Sequence, residues 1–186
     1  MTISVRQATR HDWPALQRLF LLSRCHTFTW LNVTDFRLTD LEKQTEGETI
    51  WLAHDPQGEL AGFIAVWMPD HFIHHLHVAP ARQGCGVGKM LLQALPGWQE
   101  HGYRLKCLTR NHKALAFYAA SGFVTLGEGK SDEGTYHLLE RKAAWPQQQA
   151  KNAPAGASLT RRGSTLRWPG ISPVRRQNNN HGGQQE

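Results

Sequence analysis

The chain has 186 residues, of which 40% are hydrophobic and 19% are charged, and this length favours one domain with a sizeable core. No apolar run approaches the roughly 18 residues of a membrane helix, and three scattered cysteines are too few for a disulfide framework, so we expect a reducing, cytoplasmic location. The formal net charge of +6 comes mostly from residues 145–186, so it does not indicate that the folded part binds nucleic acid.

The first half of the chain predicts three strands, at 2–8, 49–54 and 60–67. A helix is expected after the first strand, with Asp12 as its cap and Pro14 in its first turn. A shorter helix is predicted over 39–44, because Thr39 precedes Glu42 by three residues, as in a capping box. The second and third strands flank a turn at 55–58 and therefore predict a hairpin.

The second half of the chain predicts four more strands, at 72–78, 105–108, 123–127 and 135–140. Helices are expected over 90–95 and 113–121, the second of them capped by Asn111 and ended by Gly122. This order of elements predicts an α+β or α/β sandwich. Its sheet should be mostly antiparallel, with at least one parallel crossover.

A glycine-rich loop joins the predicted strand 72–78 to the helix that follows it, with glycines at 84, 86 and 88. Glycine admits positive φ, and free N–H groups at a helix start attract phosphate. Lys89 occupies the place of the third glycine of a dinucleotide-binding loop, and Gln83 and Met90 depart from a Walker loop. Both of those readings fail, whereas a glycine-rich turn without a ligand remains a structural alternative.

The segment Gln83-Gly84-Cys85-Gly86-Val87-Gly88 fits the pattern Q/R-x-x-G-x-G/A and resembles the acetyl-CoA pyrophosphate loop of the GNAT superfamily of N-acetyltransferases. Two other segments agree in order and spacing. Residues 76–80 look like the end of the superfamily's splayed fourth strand. Residues 111–118, followed by Ser121-Gly122-Phe123, are similar to its N-x-x-A-x-x-F-Y…GF segment. The similarity covers about residues 3–141.

The resemblance implies that acetyl-CoA binds as a cosubstrate, without a metal, where the strands 72–78 and 105–108 diverge. Leu76, His77 and Val78 would line the pantetheine arm beside a bulge near 76–78. Asn111 would hydrogen-bond the arm. The diphosphate would be held mainly through main-chain amides of seven residues, which are Gln83, Gly84, Cys85, Gly86, Val87, Gly88 and Lys89.

By the same resemblance, Tyr118 is the catalytic candidate that donates a proton to the departing thiolate, and a merely packed helix tyrosine is the alternative. His74 falls where arylalkylamine N-acetyltransferases carry one of two active-site histidines, although Phe72 replaces the partner. It is our candidate for the base that takes the amine's proton, and a strand histidine without a catalytic role is the alternative. The glutamate that some relatives use as a base is replaced here by Lys106.

A second hypothesis concerns a metal, because His75 and His77 are two residues apart on one predicted strand. No cysteine or acidic residue completes the set of ligands, so we expect no metal to bind there. The acceptor pocket is expected near the first helices, and its candidates are Trp30, Phe36, Trp67, Met68, Asp70 and His71, with Glu42 or Glu46 to attract an ammonium group. The sequence does not distinguish a small-molecule acceptor from a peptide.

These patterns predict an N-acetyltransferase domain over 1–144 that transfers acetyl from acetyl-CoA to a primary amine in a ternary complex. A non-enzymatic acyl-CoA-binding protein on the same fold is one alternative. Residues 145–186, rich in Gln, Asn, Gly and Pro, predict a disordered basic tail, through which an RNA-associated role would be a second alternative. Exposed strand edges would suit a homodimer.

Overall fold

The computed structural model describes residues 2–143 and places seven strands in one sheet. In chain order the strands are β1 (Ser4–Gln7), β2 (Thr49–His54), β3 (Leu60–Trp67), β4 (Phe72–Val78), β5 (Tyr103–Leu108), β6 (Val124–Ser131) and β7 (Gly134–Arg141). The α-helices of this part are α1 (Trp13–Thr27), α2 (Asp40–Gln44), α3 (Val87–Gln93) and α4 (His112–Ala120). None of them combines the length and apolar character needed to cross a bilayer. The predicted tail, 145–186, lies outside the described residues.

The strands follow the order β1-β2-β3-β4-β5-β7-β6 across the sheet. Every neighbouring pair is antiparallel except β4 and β5, which run parallel and are joined through α3. The predicted α+β class, with a mostly antiparallel sheet and one parallel crossover, is therefore confirmed. Apolar residues fill both faces of the sheet, because α1 and α2 cover one face and α3 and α4 cover the other.

The ends of the helices were predicted with mixed success. Asn111 caps α4 as expected, since its Oδ1 accepts a hydrogen bond of 3.2 Å from the amide of Ala114. Asp12 precedes α1 but does not cap it, because its carboxylate is held by the Arg6 guanidinium and the Thr9 amide. Thr39 makes no capping bond from its side chain. The capping predictions for Asp12 and Thr39 are therefore wrong.

The parallel pair β4 and β5 stays together over only two residues of each strand. Phe72 pairs with Arg104 and Ile73 pairs with Leu105, and beyond them the two strands diverge. The register of β4 against β3 shifts at the same level, where Ala65 pairs with His75 and Val66 pairs with Ile73. The shift leaves one extra residue of β4, His74, at the point where the strands separate.

The bulge therefore lies at His74 and not near 76–78 as the sequence suggested. Pairing with β3 is regular over the later residues and continues into a hydrogen bond of 2.9 Å from the Ala79 amide to the Ala61 carbonyl. The extra residue reverses the alternation of side chains, so Ile73 and Leu76 both face α3 and α4. A strand without the bulge would instead place Leu76 on the same face as Phe72.

Candidate active site

In the loop between β4 and α3, the amides of Gln83 and Cys85 donate to the carbonyls of Pro80 and Arg82 at 3.4 and 3.3 Å, so these two predicted anion contacts already have partners in the chain. Gly84 and Gly86 have φ values of +78° and +81°, which side-chain-bearing residues rarely adopt. A Cβ atom at either position would meet no atom within 4 Å, so the space around the loop is open. The first amides of α3 lack helical partners by geometry, and no described residue accepts from them. We call residues 83–89 the phosphate loop, because this arrangement of amides suits an anion.

Two residues of the phosphate loop fix it against the fold. Val87 is 1% exposed and packs into the core between α3 and the sheet. A Cβ atom at Gly88 would lie 3.0 Å from the Phe117 ring, so glycine lets α4 approach α3 closely. Helix α3 begins at Val87, three residues before the predicted start. The reason is that Gly86 takes the left-handed conformation at the N-cap position and Gly88 is accommodated inside the helix.

Leu76, His77 and Val78 were predicted to line the pantetheine arm. The main-chain groups of Leu76 and Val78 point to one side of β4, and those of His77 point to the other. Successive residues of an antiparallel strand turn their N–H and C=O groups to alternate neighbours. The Ala79 amide bonds to β3, so the main-chain groups of His77 point to β3 as well. In agreement, a Cβ atom on Gly62 of β3 would lie 2.9 Å from the His77 carbonyl oxygen. Leu76 and Val78 therefore direct their main-chain groups toward the gap that opens between β4 and β5.

The His77 side chain lies on the opposite face of the sheet, against α1. Its Nδ1 is 2.6 Å from the Ser23 hydroxyl, and its ring stacks on Phe63 with a centroid distance of 5.4 Å. Burial, together with the nearby His75 ring and the Arg24 guanidinium, lowers the pKa of His77 well below its usual value. The imidazole is therefore a neutral core group that faces away from the gap.

His75 lies beside His77 on this face. Burial is again the main cause that lowers its pKa, to about 3. The two rings are 5.8 Å apart between centroids, and no third potential metal ligand joins them among the described residues. Both rings instead pack edge-on against Phe20 of α1. The histidine pair is thus built into the packing of α1 on the sheet.

Tyr118 lies on α4 and is buried in the core near Cys107 of β5. Tyr118 is 8% exposed, and its ring packs between those of Phe117 and Phe123 with centroid distances of 5.2 and 5.4 Å. Burial, and secondly the neighbouring Cys107 thiol, raise the pKa of the phenol above its usual value. The hydroxyl therefore keeps its proton at neutral pH, and no described residue is hydrogen-bonded to it. A protonated phenol at this place can donate to a ligand in the gap.

Asn111 precedes α4 at the wide end of the gap. Its Oδ1 is committed to the Ala114 amide, and its own amide donates to the Leu108 carbonyl at 2.9 Å. The side-chain nitrogen makes no bond to the described part of the chain, so it remains available as a donor. The capping role and the predicted cofactor contact are therefore compatible in one side chain.

His74, at the bulge, has a partner that the sequence did not reveal. Its Nδ1 contacts Oε1 of Glu48, which directly precedes β2. The His74 side chain is 41% exposed, whereas that of Glu48 is only 3% exposed. The Phe72 ring lies beside the imidazole at 4.9 Å between centroids. No local pattern signals this pair, because the two residues are 26 positions apart and meet only through the pairing of β2, β3 and β4.

The predicted acceptor residues do not form one pocket. Trp30 lines a cavity of about 250 Å³ with Thr109 and Glu133, beyond the C-terminal end of β5. Glu42 and Glu46 line a second cavity, of about 680 Å³, between α2 and β2. Three other candidates pack elsewhere, namely Phe36 under the Arg24 guanidinium, Trp67 over Gly47, and His71 against the ring of His101. The predicted acceptor residues are therefore divided between two separate cavities and the packed parts of the fold.

A mostly antiparallel sheet with two diverging parallel strands and flanking helices is the architecture of GNAT folds. A family model described as an acetyltransferase (GNAT) domain matches residues 46–125, which include β2 to β5, the phosphate loop and α4. The 5-NmdU N-acetyltransferase of Pseudomonas phage PaMx11 is 31% identical over 83 residues. That match spans 42% of this chain and 59% of the length of the phage protein. Residues 46–125 therefore match a GNAT acetyltransferase domain, as the motifs of this segment predicted.

Solved structures share the fold at low sequence identity. YjaB of Escherichia coli, in its apo form, is 22% identical with a TM-score of 0.61, and the match covers 77% of this chain and all of that one. A PaiA N-acetyltransferase from Thermoplasma acidophilum in complex with coenzyme A is 18% identical with a TM-score of 0.62, covering 76% and 99% of the two chains. The ribosomal-protein-S18-alanine N-acetyltransferase of Escherichia coli is 15% identical with a TM-score of 0.61, covering 80% and 98%. The splayed sheet predicted from the sequence is thus a shared architecture.

Proposed function

We propose that this protein transfers the acetyl group of acetyl-CoA to a primary amine within a ternary complex. The observation that carries the proposal is the gap between β4 and β5, which opens at His74 and widens toward the phosphate loop. Free main-chain groups line both its strand edge and its wide end. Such a gap suits a ligand with a hydrogen-bonding arm and a doubly charged head group.

The residues present fit acetyl-CoA. In our proposal the free amides at the start of α3 bind the diphosphate, with Lys89, exposed at the first turn of α3, adding positive charge. Main-chain groups of Leu76 and Val78, with the amide nitrogen of Asn111, bind the pantetheine arm. His77 supports β4 from the opposite face. Acetyl-CoA supplies a thioester, whose carbonyl carbon is the electrophile for an amine.

Proton transfer in the proposal falls to side chains on the two faces of the sheet. An alkylamine is mostly protonated at neutral pH, so a base must free its lone pair before it attacks. His74 is placed for this at the narrow end of the gap, on the face covered by α1 and α2. Tyr118, on the other face, donates a hydrogen bond or its proton to the sulfur as negative charge develops there. Orientation of the two reactants in the gap supplies most of the remaining acceleration.

The proposal is tested by release of coenzyme A from acetyl-CoA in the presence of a panel of amines. Because the phage relative is named for 5-NmdU and one structural neighbour for the alanine of a ribosomal protein, the panel contains 5-NmdU, peptides with N-terminal alanine and small alkyl diamines. Amine-dependent release, with an acetylated product seen by mass spectrometry, supports the proposal. Tight binding of coenzyme A without release for any amine favours the non-enzymatic alternative.

A further inference from the structure

Glu48 differs from the other buried carboxylate near β2. Asp55, 6% exposed, has both oxygens occupied, since Oδ1 accepts from two backbone amides and Oδ2 from Arg82. The Glu48 side chain is 3% exposed, yet only Oε1 has a partner, His74, while Oε2 is buried and unpaired within residues 2–143. A half-satisfied buried carboxylate destabilises a fold, so packing alone does not account for Glu48.

The contact determines which nitrogen of His74 carries a proton. An ionised carboxylate can only accept a hydrogen bond, so Nδ1 of His74 must be the donor. In the neutral imidazole Nε2 is then the unprotonated nitrogen. The His74 side chain is 41% exposed although Glu48 is buried, so the rest of the imidazole is accessible to a ligand.

We propose that Glu48 is the positioning residue for His74. It holds the ring in one orientation and in the tautomer whose Nε2 takes a proton from the attacking amine. As the N–H bond breaks, its proton goes to Nε2 and the nitrogen lone pair forms the bond to the acyl carbon. The C–S bond then breaks, and its electron pair leaves on the sulfur, which takes a proton from Tyr118. The second proton that the nitrogen loses as the amide forms restores the phenol. This role rests on the proposed function.

The test replaces Glu48 with its uncharged isostere, Glu48→Gln. We expect kcat to fall about tenfold or more, but by less than the roughly 10²-fold or larger loss that removal of the general base itself would cause. The KM for acetyl-CoA should stay unchanged. Because the buried charge disappears, the melting temperature should stay the same or rise. Glu128→Gln is the matched control, since Glu128 faces Nδ1 of His137 at 3.3 Å on the exposed β6–β7 hairpin and should leave kcat intact.

Two measurements separate positioning from a structural role. If Glu48 acts through His74, the double variant Glu48→Gln/His74→Gln should be no slower than His74→Gln alone. Nitrogen-15 NMR of the His74 ring should show the Nδ1–H tautomer in the wild-type protein and a mixture in Glu48→Gln. The role would be overturned if the fold-losses in kcat of the two single variants multiply in the double variant. A Glu48→Gln protein that is less stable but has a normal kcat would also overturn it. A wild-type protein that acetylates no amine would overturn the proposed function together with it.

Discussion

Arg82 and Asp55 join the start of the phosphate loop to the turn between β2 and β3. The Arg82 Nε donates to Asp55 Oδ2 at 3.0 Å, and Asp55 Oδ1 accepts from the amides of Gln57 and Glu59, both at 2.9 Å. Burial opposes ionisation of Asp55, but the hydrogen bonds from Arg82 and the two amides outweigh it and hold its pKa below the usual value. The pair therefore stays charged at neutral pH and ties Gln83, the next residue, to a hairpin far upstream in sequence.

Loss of this tie should weaken cofactor binding. In Arg82→Ala the loop loses its anchor, so binding must also order it, and we expect the Kd for coenzyme A to rise by roughly three- to tenfold, about 1 kcal/mol. Isothermal titration calorimetry measures the change. Arg18→Ala is the control, because Arg18 bonds only to the Pro14 carbonyl on the exposed side of α1. Wild-type affinity in Arg82→Ala would show that the loop is held by other contacts.

Tyr118→Phe removes one hydroxyl from the gap without changing the packing of the ring. We expect kcat to fall by about 10²-fold, because the sulfur loses its proton donor, while affinity for coenzyme A is retained. Tyr103→Phe supplies the contrast. The Tyr103 hydroxyl donates to the Pro96 carbonyl at 2.6 Å, so its loss should lower the free energy of unfolding by about 1 kcal/mol and leave kcat unchanged. Equal kcat for Tyr118→Phe and wild type would remove Tyr118 from the mechanism.

The cysteines provide a chemical footprint of the phosphate loop that needs no acceptor. Cys85 is exposed in the loop, whereas Cys107 is buried and burial raises its pKa to about 11. Iodoacetamide reacts with thiolates, so we expect Cys85 to be labelled quickly and Cys107 only after unfolding. Saturating acetyl-CoA, which has no free thiol, should slow labelling of Cys85 several-fold, as followed by peptide mass spectrometry. Labelling of Cys25 on α1 serves as the internal control. If acetyl-CoA slows labelling of Cys25 as much as that of Cys85, the result contradicts a binding site at the loop.

Local patterns predicted most of the central sheet. The bounds of β2, β3 and β4 agree with the prediction, because turn residues separate each strand from the next element. The helix that carries Tyr118 and the glycine-rich loop before α3 are both present, whereas the roles that the resemblance implies for them remain predictions. Both are defined by glycines and a helix cap that act within a few residues of one another, so their geometry is encoded locally.

The remaining parts of the site depend on contacts between distant segments. The bulge at His74 arises where β4 loses β5 as a partner, and no residue of β4 signals that position. Once the bulge reverses the alternation, the His77 side chain faces α1, which a count along the strand could not have shown. The partners Glu48 and Asp55 likewise reach the site only through the pairing of β2 with β3 and β4.

Gly62 determines how closely α3 packs on the sheet. A Cβ atom there would lie 2.9 Å from the His77 carbonyl and 3.0 Å from a Val87 methyl group. Gly62→Ala must therefore displace main chain or α3, and we expect a loss of about 1–3 kcal/mol in the free energy of unfolding, measured by urea denaturation. Gly127→Ala is the matched control, since nothing lies within 4 Å of the added atom. Equal stability of the two variants would show that α3 can shift without cost.

The buried histidines should make stability depend on pH. Folding lowers the pKa of His75 to about 3 and that of His77 well below its usual value, both chiefly through burial. Between about pH 6.5 and 3 the unfolded chain therefore binds protons that the folded chain does not. Their contribution to stability is full above pH 6.5 and is lost as the pH falls, by at most about 1.4 kcal/mol per pH unit for each histidine.

Urea denaturation between pH 7.5 and 5.5 measures this loss while most carboxylates remain ionised. We expect the free energy of unfolding to decrease steadily over this range. His75→Gln should reduce the slope, whatever its effect on stability at pH 7.5, because one of the two groups no longer titrates. His26→Gln, at an exposed position of α1, should keep the wild-type slope. A wild-type stability that does not change over this range would mean that both imidazoles accept protons inside the fold as readily as in water.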